Sequence, residues 1–251
     1  MKTKYFTVEV KPVIPNVAAG QHAAFADGDV LFNWHAFEIP KGPAKLLGVS
    51  CDIRPKGNAN ADPNKFAFEL FFAKSRNDGT DPTALGTVNS TVTVPAFSPN
   101  QIISFVEVVA GDFADHLDST TFSHTVPLAG TIFSGEPKPE KGTSVGYDRY
   151  YVAGMAGASL DFTSLTRINN GDLNGPVMTV DGTDPRLFLN TGDTINVTTT
   201  ADTSVSKSMG VIKSMTSTSI TLEEAFTTGD VVNDDFVYNV APITIRLHFE
   251  K

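Results

Sequence analysis

The sequence predicts an all-β protein, an antiparallel β-sandwich with a small β-barrel inserted into it, and three observations carry that prediction. The first is Ile243-Thr-Ile-Arg-Leu-His-Phe249, whose alternation puts Ile243, Ile245, Leu247 and Phe249 on one face and Thr244, Arg246 and His248 on the other. That is the pattern of a half-buried strand. The second is the skew of 18 Phe against one Trp in 251 residues, because Phe fills sheet faces without needing a polar partner. The third is a change of texture from about Asn169, where Phe gives way to Thr-rich and Ser-rich segments between Gly and Asp turns, followed by a return of Phe-bearing alternation at the end. The closing strand is therefore expected to complete a sheet begun near the amino terminus. This divides the chain into a sandwich at 1–168 plus 240–251 and an inserted barrel at 169–239.

Taken in order, Phe6, Val8 and Val10 share one face of an opening strand that Pro12 and Pro15 end, since neither proline can donate to a ladder. Met1-Lys-Thr-Lys runs straight into this alternating, charged stretch, so a strand and not a signal peptide is expected there. Asn16 to Asp29 is small and polar and reads as a loop. Val30 to Pro40 and Ala44 to Ile53 read as strands closed by Pro40-Lys-Gly-Pro43 and Arg54-Pro-Lys-Gly57. Matching turns of this kind predict hairpin-like connections within an antiparallel sheet. Gly57 to Asn64 reads as a polar loop, and Phe66, Phe68, Leu70 and Phe72 then alternate inward. Beyond the turn at Asn77 to Pro82, weaker strands are expected at Leu85 to Val94 and Ile102 to Val109, a short helix at Gly111 to Ser119 with Phe113 and Leu117 four apart, and strands at Phe122 to Leu128 and Gly130 to Phe133.

Gly135-Glu-Pro-Lys-Pro-Glu-Lys-Gly142 is charged and proline-spaced, so an exposed, extended crossing is expected. Tyr147 to Phe162 mixes aromatics with Gly and Ala, and the small residues there let large neighbours approach. In the Thr-rich part, Val177 to Val180, Arg186 to Leu189, Thr194 to Thr199, Met209 to Ser214 and Ser219 to Leu222 read as short strands between tight turns, which fits a small barrel closing near Val231 to Asn239. Asp78-Gly-Thr-Asp-Pro82 recurs as Asp181-Gly-Thr-Asp-Pro185, but the flanks differ. Two turns of one type are expected, not an internal repeat.

Composition narrows the function classes. The net charge is -9, with 28 acidic residues against 19 basic and no Lys or Arg run, which argues against a nucleic-acid partner. No apolar run approaches the roughly 20 residues of a membrane helix, so no membrane partner is expected either. The single cysteine, Cys51, excludes an internal disulfide and sits in the apolar series Leu47, Val49, Cys51, Ile53 as a small core residue. A cytoplasmic origin follows from this reading, which makes the sequons at Asn89 and Asn196 chance matches.

The histidines His22, His35, His116, His124 and His248 show no metal spacing. Asp62, Asp78, Asp81, Asp112, Asp115 and Asp118 fall in loops; Asp112, Asp115 and Asp118 could gather oxygen ligands, but the calcium-loop pattern is missing and turn duty is the preferred reading. Gly157-Ala-Ser-Leu-Asp161 lacks the second glycine of a nucleophile elbow. No phosphate-cradling loop occurs. Two carboxylates facing across a cleft would still permit a β-sandwich hydrolase. Trp34, Tyr147, Tyr150 and Tyr151 could stack on a sugar ring, with core or interface packing the preferred reading. No catalytic, cofactor-binding or metal residue is assigned, and a non-enzymatic protein without cofactor is expected.

Several stretches together resemble virion structural proteins of tailed phages, notably those of marine cyanophages: Phe37-Glu-Ile-Pro-Lys-Gly42, Leu70-Phe-Phe-Ala-Lys-Ser75, Tyr150-Tyr-Val-Ala-Gly-Met-Ala-Gly157 with Leu160-Asp-Phe162, Asn233-Asp-Asp-Phe-Val-Tyr-Asn239, and Pro242-Ile-Thr-Ile-Arg-Leu-His-Phe-Glu-Lys251. The resemblance implies a capsid decoration, cement or head-fibre component of the virion, made in the host cytoplasm, with a jelly-roll-like body. Its partners would be itself, as a homo-oligomer with a trimer favoured, and the capsid or other virion proteins. A carbohydrate-binding or adhesion module of a phage particle is the alternative.

Overall fold

The computed structural model describes residues 4–17, 20–54, 67–116, 120–125, 132–133, 146–169, 175–199, 205–226 and 231–251, with backbone alone at 114–116, 120–125 and 132. The predicted polar loop at Gly57 to Asn64, Phe66, the turn residues 55–57 and the crossing at Gly135 to Gly142 lie outside the described residues.

The chain is nearly all β. Its first strands are β1 (Tyr5–Val10), β2 (Val30–Pro40), β3 (Ala44–Ile53), β4 (Phe68–Lys74) and β5 (Gln101–Val108). Next come β6 (Phe113–His116), β7 (Thr120–Thr125), β8 (Ile132–Phe133) and β9 (Tyr147–Ala156). The Thr-rich stretch holds β10 (Arg167–Ile168), β11 (Gly175–Asp181), β12 (Thr194–Thr198), β13 (Ser206–Met215), β14 (Ser219–Phe226) and β15 (Phe236–Asn239), and β16 (Ile243–Glu250) ends the chain.

Two sheets make the sandwich, one ordered β1-β16-β3-β7-β6 with β8 also on β3, the other ordered β2-β9-β4-β5. The pairing is nested: β1 with β16, β2 with β9, β3 with β7, β4 with β5, all antiparallel. A long hairpin with its tip between β4 and β5, wrapped around so that successive strands fall in opposite sheets, gives this order, which is the jelly roll. It also corrects one expectation. The turn Pro40-Lys-Gly-Pro43 does not close a hairpin within one sheet, because β2 and β3 belong to different sheets; the chain arches over the end of the sandwich there.

Alternation sets the core. Ile243, Ile245, Leu247 and Phe249 of β16 face inward with Phe68, Leu70 and Phe72 of β4, all fully buried. Phe37 lies within 6.1 Å of both Phe133 and Tyr150, 6.3 Å from Phe72 and 6.5 Å from Phe249, measured between ring centres. Cys51 is buried in this core as the sequence predicts. The small residues of β9 have the expected use: a Cβ on Gly154 would sit 2.4 Å from Cε1 of the buried Phe32 ring, so only glycine lets that ring lie flat on the strand.

Three further expectations are corrected. Leu85 to Val94 is not a strand; with α1 (Val94–Phe97) it belongs to a connection between β4 and β5 that covers the outer side of the second sheet. There Phe97 meets Phe71 edge-on at 5.0 Å and the Trp34 indole donates to the Thr83 carbonyl at 2.8 Å. The apolar residues of the stretch, Leu85 and Val88, are buried against the sandwich without joining a ladder, which is why their pattern mimics a strand. Where a helix is expected at Gly111 to Ser119, a 3-10 turn at Ala110–Asp112 leads into β6, with 117–119 outside the described residues. Arg186 to Leu189 is not a strand either, since Pro185–Leu187 is a 3-10 turn started by Asp184, whose carboxylate accepts from the Arg186 amide at 3.0 Å.

The barrel is closed, ordered β10-β11-β14-β13-β12-β15. Ile168, Met178, Val180, Ile195, Val197, Ile212, Ile220, Leu222 and Val237 fill its interior as a cluster separate from the sandwich core, as expected of so narrow a barrel. The recurring pentapeptide makes similar turns, with Gly79 at φ +81° and Gly182 at φ +79°.

Candidate functional site

Four places on the molecule gather polar, aromatic or exposed apolar side chains. At the joint between sandwich and barrel, the loop after β1 lays buried polar groups on barrel strands. Asn16 donates to Thr198 Oγ1 at 2.5 Å and accepts through Oδ1 from Ser206 Oγ at 2.5 Å. Gln21 donates to the carbonyls of Ile14 at 2.7 Å and Asn239 at 2.8 Å. His22 Nδ1 lies 2.7 Å from the Tyr238 hydroxyl. Burial lowers the His22 pKa and raises that of Tyr238, which favours the uncharged form of both partners. These hydrogen bonds tie the loop after β1 to the barrel strands.

The other described histidines also serve structure. His35 Nε2 accepts from the Val13 amide at 2.9 Å, which puts the proton on Nδ1, 2.8 Å from the Asn33 carbonyl it donates to. His248 bridges Thr7 Oγ1 at 3.1 Å and Ser50 Oγ at 2.9 Å across three strands. His116 and His124 fall in β6 and β7, where side chains are not described. Among the described residues no group of His, Cys, Asp or Glu gathers as a metal site. Asp78 accepts from Thr80, whose hydroxyl and amide hold the Asp78 pKa below the usual carboxylate range. Asp112 accepts from the Val109 amide at 3.1 Å. The Asp115 side chain and the whole of Asp62 and Asp118 lie outside the described residues. Both sequon asparagines are occupied: Asn89 donates to the Gly20 and Ala23 carbonyls, Asn196 to Asn16 Oδ1 and Ser206 Oγ.

The second place is a shallow depression of about 140 Å³ on the second sheet, lined by Asn33, Trp34, Asp81, Pro82, Ala84 and Tyr151. It brings together two of the four aromatics singled out from the sequence. The Tyr151 hydroxyl donates to Asp81 Oδ1 at 2.8 Å and its ring is only 2% exposed, so little of its face is open to a sugar. Tyr150 points the other way, into the core, where burial and then the Asp148 charge push its pKa up to about 12. Tyr147 is exposed but four strand residues from Tyr151, about 13 Å at ordinary strand rise. Asp81 is the one carboxylate among the residues lining this depression.

The third place is the outer face of β4 and β5, where Glu69 and Glu107 stand directly opposite each other. Burial, then Glu107 and Asp27, raise the Glu69 pKa. A carboxyl with a raised folded-state pKa favours the native state while protonated and costs stability as pH rises through that pKa. Glu69→Gln is therefore expected to stabilise the protein at pH 7 by about 0.5 kcal/mol, the scale of an opposed like-charge pair at a screened site. The gain should vanish below about pH 4, where free glutamate is protonated too. Urea titrations at both pH values check it; an equal gain at both would mean that charge is not the cause.

The fourth place is the free edge of the second sheet. Among the described residues β5 pairs only with β4, and its sequence, Gln101-Ile-Ile-Ser-Phe-Val-Glu-Val108, carries neither Lys nor Pro to discourage pairing. Phe105 is 56% exposed, and Val109, the residue after β5, is exposed as well. Burial on both sides of β4 hides this edge from sequence reading. Only the outward position of Phe105 in an alternating run signals it.

Comparison with known proteins places the chain in no family. No family model matches it, and no curated protein matches it. Among solved structures, a chain in the crystal structure of the T13 IBDV viral particle is similar at 8% identity and a TM-score of 0.14, over 99% of this chain and 39% of that one. The chain thus spans well under half the length of that protein, and so low a score carries no argument about fold or function. No helix among the described residues is long and apolar enough to cross a membrane.

Proposed function

We propose that the protein is a non-enzymatic virion structural component, a capsid decoration, cement or head-fibre protein of a tailed phage, which works by docking one folded surface on another. The observation that supports this reading is the edge of the jelly roll at β5, which among the described residues pairs only with β4 and carries Phe105 56% exposed. An exposed aromatic on an edge strand is what a specific interface of about 1,600 Å² can be built on. The four places above offer surfaces and joints, and the carboxylates met there stand in turns, cross-strand pairs or hydrogen bonds. Self-association into a homotrimer is part of the proposal, with capsid or other virion proteins as further partners.

Mass spectrometry of purified particles tests the assignment: the protein is expected in them at a fixed stoichiometry, and its absence would overturn the reading. Light scattering on the eluting wild-type chain should give a trimer at micromolar concentration, and Phe105→Glu should give a folded monomer. A wild-type monomer would remove the self-association part alone.

A further inference from the structure

We propose that a split in the barrel wall between β13 and β14 accepts an extended segment of a basic protein partner as an added strand. This goes beyond the docking role proposed above, since it concerns the barrel and stands whatever particle carries the protein.

The ladder between β13 and β14 runs Met215↔Ile220, Ser214↔Thr221, Ile212↔Leu222 and goes no further. Above that point Ser206 to Val211 pairs with β12 on the opposite side, across a register shift beside Gly210 at φ +99°. On the other flank β14 meets β11 at Thr221↔Val177 and next at Phe226↔Gly175. Two residues of β11 thus span what takes five steps along β14, so Glu223 to Ala225 bow outward. The parting strands enclose an open cleft of about 520 Å³. Its lining includes the buried side chains of Met209 and Phe226, which give it a small apolar spot, and Ser208, Glu223 and Glu224, all exposed. At Gly210 nothing lies within 4 Å of where a Cβ would stand, so a ligand can come close to the backbone there.

This arrangement selects its occupant. Backbone between parted strands recognises extended peptide, which supplies the N–H and C=O groups a ladder needs. The apolar spot at Met209 and Phe226 suits a small apolar side chain at alternate positions of such a peptide. The two rim carboxylates, which form no ion pair among the described residues, favour Lys or Arg at the positions between. A second copy is a poor candidate because the chain itself carries a net charge of -9.

The test uses the full-length protein and two end-blocked synthetic peptides, Lys-Val-Lys-Val-Lys-Val and Glu-Val-Glu-Val-Glu-Val, followed by calorimetry and amide NMR. The lysine peptide is expected to bind, to shift the amides of 208–211 and 223–226, and to weaken roughly fivefold in the E223Q/E224Q variant, the scale of two screened ion pairs. Both substitutions are on exposed side chains, so the fold is kept. Three results would overturn the proposal: no binding of the lysine peptide, equal binding of the glutamate peptide, or unchanged affinity in the double variant. Hydrogen exchange of the free protein gives an independent reading. Uniform ladder-like protection across 208–211 and 223–226 would show that the chain already fills its own split. None of these measurements involves a particle, so failure here leaves the virion assignment to its own test.

Discussion

Phe37→Ala is expected to lower folding stability by about 3–5 kcal/mol, the range for truncating a buried aromatic, read as a lower urea midpoint with an unchanged slope. The size follows from position. Phe37 comes from β2 in the second sheet, and its ring meets Phe72 and Tyr150 of that sheet on one side and Phe133 and Phe249 of the first sheet on the other. Removing it opens a void walled by four rings, all fully buried on strands paired in ladders, so little of the space can close. Phe37→Leu refills part of the volume and should cost distinctly less. If the alanine variant lost under about 1 kcal/mol, the two sheets would have to be packed mainly elsewhere.

The second large effect is expected at Gly182. A Cβ there would stand 2.1 Å from the Leu165 carbonyl oxygen and 3.1 Å from its carbon, at φ +79°. Neither side can yield easily. Thr166, next along the chain, donates through its hydroxyl to the Thr183 carbonyl at 2.7 Å and accepts the Val237 amide at 3.0 Å. Left-handed backbone and a clash with main chain should together cost about 3 kcal/mol or more in Gly182→Ala. Gly192 supplies the control: φ is +89° but nothing lies within 4 Å of its missing Cβ, so Gly192→Ala should cost only about 1 kcal/mol. Thermal melts of both variants separate the two contributions, and equal losses would show that backbone conformation alone sets the cost.

Much of the architecture was legible because β periodicity is a local property. The alternation of β4 and β16, the small residues of β9 and the apolar setting of Cys51 could each be read from a few neighbouring residues. The reading failed where an apolar stretch served something other than a ladder. Leu85 and Val88 are buried by covering a sheet, Leu187 sits in a 3-10 turn, and Phe113 begins a strand where its spacing to Leu117 suggested a helix. Turn chemistry likewise showed that the chain reverses at Pro40 to Pro43 without showing that it changes sheet. For the functional surfaces, sequence named Trp34 and Tyr151, which do share a depression, but grouped with them Tyr150, which alternation sends into the core. The barrel split was invisible: it arises from register shifts in two ladders, and a single strand's sequence does not record how its neighbours slip.

Tyr5 pairs with Glu250, and β16 fills the place between β1 and β3. During synthesis the first sheet therefore stays gapped until β16 has left the ribosome, although β1 and β3, the strands on either side of that gap, are out long before. The barrel differs, since its strands find partners within one short stretch of chain. Closing the long loop from β1 to β16 delays the sandwich, so the guest is placed to fold before its host, and the aromatic faces awaiting β16 are the surfaces a nascent chain must shield longest.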